Sequence, residues 1–162
     1  MVASIQPVAP HDVALSVRDL TVNLPKGMER THAVENISFD LKRGQILCVI
    51  GESGSGKSVT ANAIMGLLPR VIHVSSGAIH LDGTNIIGMP QDKLRGLRGR
   101  VVSMIFQDPL SALNPLMTVG AQIDEVMAAH GVGTPKSRRG RTVDLLTEVG
   151  LPDPELMYHQ YP

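Results

Sequence analysis

Eight residues, Gly51-Glu52-Ser53-Gly54-Ser55-Gly56-Lys57-Ser58, limit what this chain can fold into more than any other stretch. They follow the pattern Gly, four residues, Gly-Lys-Ser, known as the P-loop or Walker A motif. Phosphate oxygens need several donors converging within hydrogen-bond reach. Glycines let the backbone curl so that successive N–H groups point inward with no Cβ in the way. The flanks fit as well. Ile46-Leu47-Cys48-Val49-Ile50 is an unbroken apolar run, read as a strand covered on both faces at the centre of a parallel sheet. Lys57 to Leu68 is rich in helix-compatible residues and Pro69 closes it, so the order is strand, loop, helix. The helix adds unpaired N–H groups and the positive end of its dipole, each anion contact worth about 0.3 to 1 kcal/mol when exposed and up to about 2 when partly buried. The predicted phosphate-binding set is Gly51, Ser53, Gly54, Ser55, Gly56, Lys57, Ser58 and Val59. In it Lys57 reaches the β and γ phosphates as a point charge, and the Ser58 hydroxyl completes the coordination of Mg²⁺ beside ATP. Glu52 faces outward. A flexible turn matching by accident needs neither flank. The dinucleotide fingerprint fails, because Val59 stands where Gly or Ala is required.

Composition narrows the setting. A chain of 162 residues is long enough for one ordinary domain and not for two. With 15 basic and 15 acidic residues the formal charge is zero, so no global field gathers nucleic acid. Cys48, the single cysteine, has no disulfide partner, which fits a reducing compartment; inside its apolar run it reads as a buried small hydrophobe. Met1 to Pro10 lacks the look of a signal peptide, and no apolar run approaches the roughly 20 residues that span a bilayer. The six histidines, at 11, 32, 73, 80, 130 and 159, have no tight metal-ligand spacing. Two basic groups, Lys93, Arg95, Arg98 and Arg100, then Lys136, Arg138, Arg139 and Arg141, read mainly as solvated surface.

Along the chain, Ala14 to Leu24 roughly alternates apolar and polar residues before a turn at Pro25-Lys26-Gly27, and Ala33 to Leu41 does so again before Lys42-Arg43-Gly44. This is an antiparallel β entry region. Ala78 to Leu81 predicts a short strand, Gln91 to Leu97 a short basic helix, and Val101 to Phe106 a second strong apolar strand. Beyond Pro115 the pattern is helical: Ile123, Val126 and Met127 share one face, then Val143, Leu146 and Val149, with Gly131 to Gly140 as a loop or a poorly formed helix start.

Val101 to Phe106 runs into Gln107-Asp108-Pro109-Leu110-Ser111-Ala112-Leu113-Asn114-Pro115, which closely resembles the Q-loop of ATP-binding cassette subunits. Leu15 to Leu24, Ala33 to Leu41, Gly44 to Leu68 and Gly77 to Asp82 also resemble successive pieces of such a subunit, in order and spacing. The chain is therefore similar to the ATP-binding subunits of oligopeptide, dipeptide or nickel ABC importers. The resemblance implies an α/β fold: a P-loop NTPase (ABC ATPase) core with an antiparallel β subdomain, over about 12–110, and the start of a helical subdomain, over about 111–162, the whole incomplete. It implies that Gln107 touches the Mg²⁺ or the attacking water and senses nucleotide, and that the following segment, Leu110 to Met117 included, meets the membrane subunits. It further implies a second ATP-binding subunit, identical or homologous, two transmembrane permease subunits as partners, and a peripheral place on the cytoplasmic face of the cell membrane. Asp108 is not read as a Walker B acid, since Pro109 stands where a second carboxylate belongs.

The sequence departs from the family at two points. After Tyr161-Pro162 the family continues into an LSGGQ-type signature, a Walker B strand with its catalytic Glu, and a switch His. None occurs here; Asp124-Glu125 lies inside a predicted helix and His159 lies before the break. No catalytic residue is therefore assigned, and the chain alone is expected to hydrolyse no ATP above background. Leu24 stands where the family often stacks an aromatic ring on adenine; losing that contact, worth about 1 to 3 kcal/mol, weakens binding about tenfold or more and leaves purine selectivity weak. Missing central strands predict an exposed sheet edge and a tendency to aggregate. A P-loop kinase or transferase, and a non-catalytic nucleotide-binding remnant, are the alternatives; phosphoryl transfer to a small acceptor singles out the first of these.

Overall fold

The computed structural model describes residues 12–108 and 112–162 and divides into two compact units, 1–102 and 103–162. The first unit is built on a four-stranded antiparallel sheet: β1 (Val13–Asn23), β2 (His32–Lys42), β3 (His73–Leu81) and β4 (Thr84–Asn85), in the order β2-β1-β3-β4. The hairpin expected from the first two alternating stretches is present. Its alternation is broken by a bulge between Val17 and Leu20. Asp19 takes a positive φ of 47° there, and its N–H donates to Ser38 Oγ at 2.8 Å. The extra residue keeps Val17, Leu20 and Val22 all facing the core, although the first two are three positions apart. β3 begins five residues before the expected Ala78, because its whole length pairs with β1.

The core gathers Val17, Leu20, Val22, Val34, Ile79 and Leu81 of the sheet around Ala63 of α1 (Lys57–Met65), with Ile86 and with Leu94 of α2 (Gln91–Leu97) closing it. α1 ends at Met65 rather than running to Leu68. Gly66 turns left-handed (φ 62°), and Leu67 N–H donates to Asn62 O at 2.8 Å. Arg98, expected on a solvated surface, instead caps this end: Nε donates to Met65 O at 2.8 Å and Nη2 to Gly66 O at 2.7 Å, placing a cation on the negative pole of the helix.

Two expected strands do not form. Residues 46–50 and 101–106 carry no strand, and only an isolated parallel bridge joins Val102 to Arg98. Ile46 is 99% exposed, Ile50 88% and Ile105 93%, and Cys48 is exposed too, against its expected burial. The reason is physical. A strand buried on both faces owes its stability to parallel neighbours, and among the described residues every ladder is antiparallel and engages β1 to β4 alone.

The second unit packs α3 (Val119–Ala129), α4 (Pro135–Glu148) and α5 (Pro154–His159). The two helices with shared apolar faces are present. α4 starts at Pro135, inside the stretch expected as a loop or a poorly formed helix start, and the start is well formed: Thr134 and Ser137 make a reciprocal capping box and proline suits the first helical position. Thr118 caps α3, its Oγ1 accepting from Ala121 N–H at 3.2 Å. Among the described residues, no helix is long and apolar enough to cross a membrane.

Candidate phosphate-binding site

Residues 51–56 form the turn between the extended segment and α1, and the helix begins at Lys57. Gly56 is the N-cap, at φ 94° and ψ 0°. Glycine is required there twice over: the conformation is left-handed, and a Cβ would lie 2.5 Å from Ala33 O and 2.9 Å from Val34 Cγ2. That contact seats the loop against β2. The first helical bond is made by Thr60 N–H to Gly56 O at 2.8 Å, so the N–H groups of Lys57, Ser58 and Val59 precede the helical ladder. Thr60, which is buried, ties its Oγ1 to the same carbonyl at 3.0 Å and fixes the first turn.

Lys57 folds across the loop. Its Nζ donates to Gly51 O and Glu52 O, each at 2.7 Å, and to Ser55 Oγ at 3.3 Å. All three partners are neutral oxygens, and among the described residues no carboxylate pairs with this ammonium. Within the loop Ser55 N–H donates to Glu52 O at 3.2 Å. Ser58 is exposed on the first turn of α1, as an oxygen ligand for Mg²⁺ must be, and Glu52 is exposed as expected. The donor set thus fits a magnesium-bound polyphosphate: a cation without a counter-ion, the open N-terminus of a helix and a free-standing hydroxyl.

Three further features were not readable in advance. Arg30, in the loop joining β1 to β2, donates from Nη2 to Gly54 O at 3.2 Å. The same hairpin loop frames a cavity of about 360 Å³ lined by Leu24, Met28, Arg30 and His32 among others. At its back His32 Nδ1 and Ser75 Oγ both meet Asn23 Oδ1, at 2.8 and 2.9 Å. The bonds of Arg30 and Ser75 join residues 24 and 52 positions apart, which no local pattern announces.

Gln107 belongs to the second unit, where it is exposed at a bend; Pro109, Leu110 and Ser111 of the expected Q-loop lie outside the described residues, as does His11. Within the second unit an apolar groove of about 610 Å³ is lined by Leu113, Met117, Ile123, Val126 and Met127. Gln122 holds its rim, accepting from Asn114 N–H at 2.8 Å and donating to Asn114 O and Met117 O, both at 3.1 Å. Beside the groove helices, Asp124 joins all three helices: Thr142 Oγ1 donates to Oδ1, and Tyr158 OH donates to Oδ2 at 2.7 Å. That bond, with partial burial, raises the Tyr158 pKa above its ordinary value, since the charged Asp124 favours the protonated phenol.

An antiparallel sheet packed on the helix that follows a glycine-rich Gly-Lys-Ser loop defines a P-loop nucleotide-binding protein. A family profile described as ABC transporter matches residues 34–160, and the chain belongs to that family. Among curated relatives it is 45% identical over 149 residues to the peptidoglycan transport ATP-binding protein YejF of Agrobacterium fabrum, covering 91% of this chain and 27% of that protein. It is 43% identical to the dipeptide transport ATP-binding protein DppD of Haemophilus influenzae, covering 91% of this chain and 45% of the relative. The chain thus spans less than half the length of either. Among solved structures, the post-hydrolysis dimer of the ATP-binding cassette MJ0796 with ADP and Pi aligns with a TM-score of 0.74 at 22% identity, over 91% of this chain and 61% of that one, which establishes the fold.

Proposed function

We propose that the chain is the nucleotide-binding part of an ATP-binding, energy-coupling subunit of an ABC importer for peptides or related small solutes. The observation that carries this is Lys57 lying over a loop of neutral oxygens, unmatched by any described carboxylate, at the open N-terminus of α1. When a nucleotide binds, the loop amides and the ammonium hold its phosphates, and the Ser58 hydroxyl supplies an oxygen to Mg²⁺, the ion that neutralises the charge of the tail. Lys57 would exchange its bonds to Gly51 O and Glu52 O for phosphate oxygens. Gln107 is the second residue assigned to the metal or the attacking water, by its place after the Val101–Phe106 segment.

The names of the curated relatives, dipeptide and peptidoglycan transport ATP-binding proteins, support a peptide-like cargo. Partners follow from the same reading: a second ATP-binding subunit and two permease subunits, with the protein peripheral on the cytoplasmic face of the membrane. The apolar groove of the second unit, with Leu113 and Met117 on its rim, is the surface assigned to a permease segment. No catalytic residue is assigned.

Photo-crosslinking with azido-ATP tests the site. Labelling is expected in the intact chain, competed alike by ATP and GTP because Leu24 offers no ring for a purine, and lost in Lys57→Ala. Labelling that survives this substitution, or that adenosine alone competes away, contradicts the phosphate-loop reading.

A further inference from the structure

Arg30 differs from Arg18 and Arg43, the two arginines of the first unit with described ion pairs. Arg18 pairs with Asp40 and Arg43 with Asp82, each at 2.6 Å. Arg30 has no carboxylate partner among the described residues; its hydrogen bond goes to the carbonyl of Gly54, in the middle of the phosphate loop, 24 residues away in sequence. A hydrogen bond from a charged donor is the stronger kind, and this one spans two segments with no other polar link between them among the described residues. One segment cradles phosphates. The other frames the hairpin cavity with Leu24 and Met28.

From this geometry we infer that Arg30 is a positioning and specificity-determining strap: it fastens the β1–β2 hairpin loop to the phosphate loop, and so sets the spacing between the surface that meets the nucleoside and the loop that holds its phosphates. The inference rests on the nucleotide-binding reading above. A strap acts only on a ligand that touches both segments. Inorganic tripolyphosphate touches one; a nucleoside triphosphate touches two. Without the strap the hairpin samples many spacings, and the nucleoside end must order it on binding.

The test is binding of MgATP and of magnesium tripolyphosphate by the full chain with Arg30, Arg30→Ala and Arg30→Lys. Arg30 is exposed, and an unchanged far-UV spectrum checks that the variants fold. Arg30→Ala is expected to weaken MgATP about three- to tenfold and leave tripolyphosphate within error, with Arg30→Lys, which can still donate to the Gly54 carbonyl, recovering most of the loss. Equal weakening of both ligands would make Arg30 a general cation for phosphate and overturn the strap. So would no change in either. A wild-type chain that binds both ligands equally overturns the strap and leaves the phosphate loop standing; one that binds neither brings down the nucleotide reading and the strap with it.

Discussion

Leu24 follows directly on β1, half-buried, with its N–H donating to Thr31 O at 2.9 Å, so its side chain is held on the wall of the hairpin cavity. A ring placed there gains a stacking surface that leucine lacks. Leu24→Tyr is expected to tighten MgATP about tenfold without changing tripolyphosphate, in a fluorescence titration. Equal gains for both would place the effect elsewhere. Tyr158 carries a different kind of prediction. Its phenol, held protonated by Asp124, has its folded-state pKa raised, so the bond stabilises the fold fully below the unfolded value of about 10 and is lost as pH rises through the raised value. Tyr158→Phe should cost about 1 to 2 kcal/mol of stability at neutral pH and remove this alkaline dependence in denaturant melts. Asp40 has the opposite sign. The Arg18 guanidinium bonded to it lowers its pKa, so its contribution is present above about pH 4 and disappears in acid. Both partners are well exposed, which keeps that contribution within about 1 kcal/mol.

At the scale of elements, the hairpin, α1, α2 and the two long helices were legible because each carries a local signal: alternation ending in a turn, or apolar residues at helical spacing. The phosphate loop was legible for the same reason, eight contiguous residues with one steric logic. Arg30, Arg98, Gln122 and Asp124 were not, since what each does depends on an oxygen supplied by another segment. Residues 46–50 and 101–106 mark the reverse case. Their composition is that of buried strands, yet a strand is a relation between segments, and the described residues offer them no ladder, only the single bridge from Val102 to Arg98. α5 also escaped notice; it is six residues long and has no buried residue to set a period. Its packing still constrains α3. Gly120 is buried, and a Cβ built on it would run into the Tyr158 ring. In an exposed helix Gly→Ala gains up to about 1 kcal/mol, but an overpacked contact loses about 1 to 3. Gly120→Ala should therefore lower the denaturation midpoint, and the same substitution made in a Tyr158→Ala chain should lower it much less.

For the molecule as a whole, Ile46, Ile50 and Ile105 are the most exposed of the large apolar side chains described, and they are expected to govern its behaviour in solution. Extended apolar segments with unpaired backbone are templates for association, so the 162-residue chain should bind an apolar dye and migrate well above its 17.3 kDa. A monomer with one sharp, reversible unfolding transition contradicts that. The chain belongs to the ABC transporter family and shares the cassette fold. The most direct measurement is calorimetric titration of dispersed chain with the magnesium salt of ATP, beside Lys57→Ala. Saturable heat is expected for the first and none for the second; no heat in the intact chain, or equal heat in both, contradicts nucleotide binding through Lys57 and its loop.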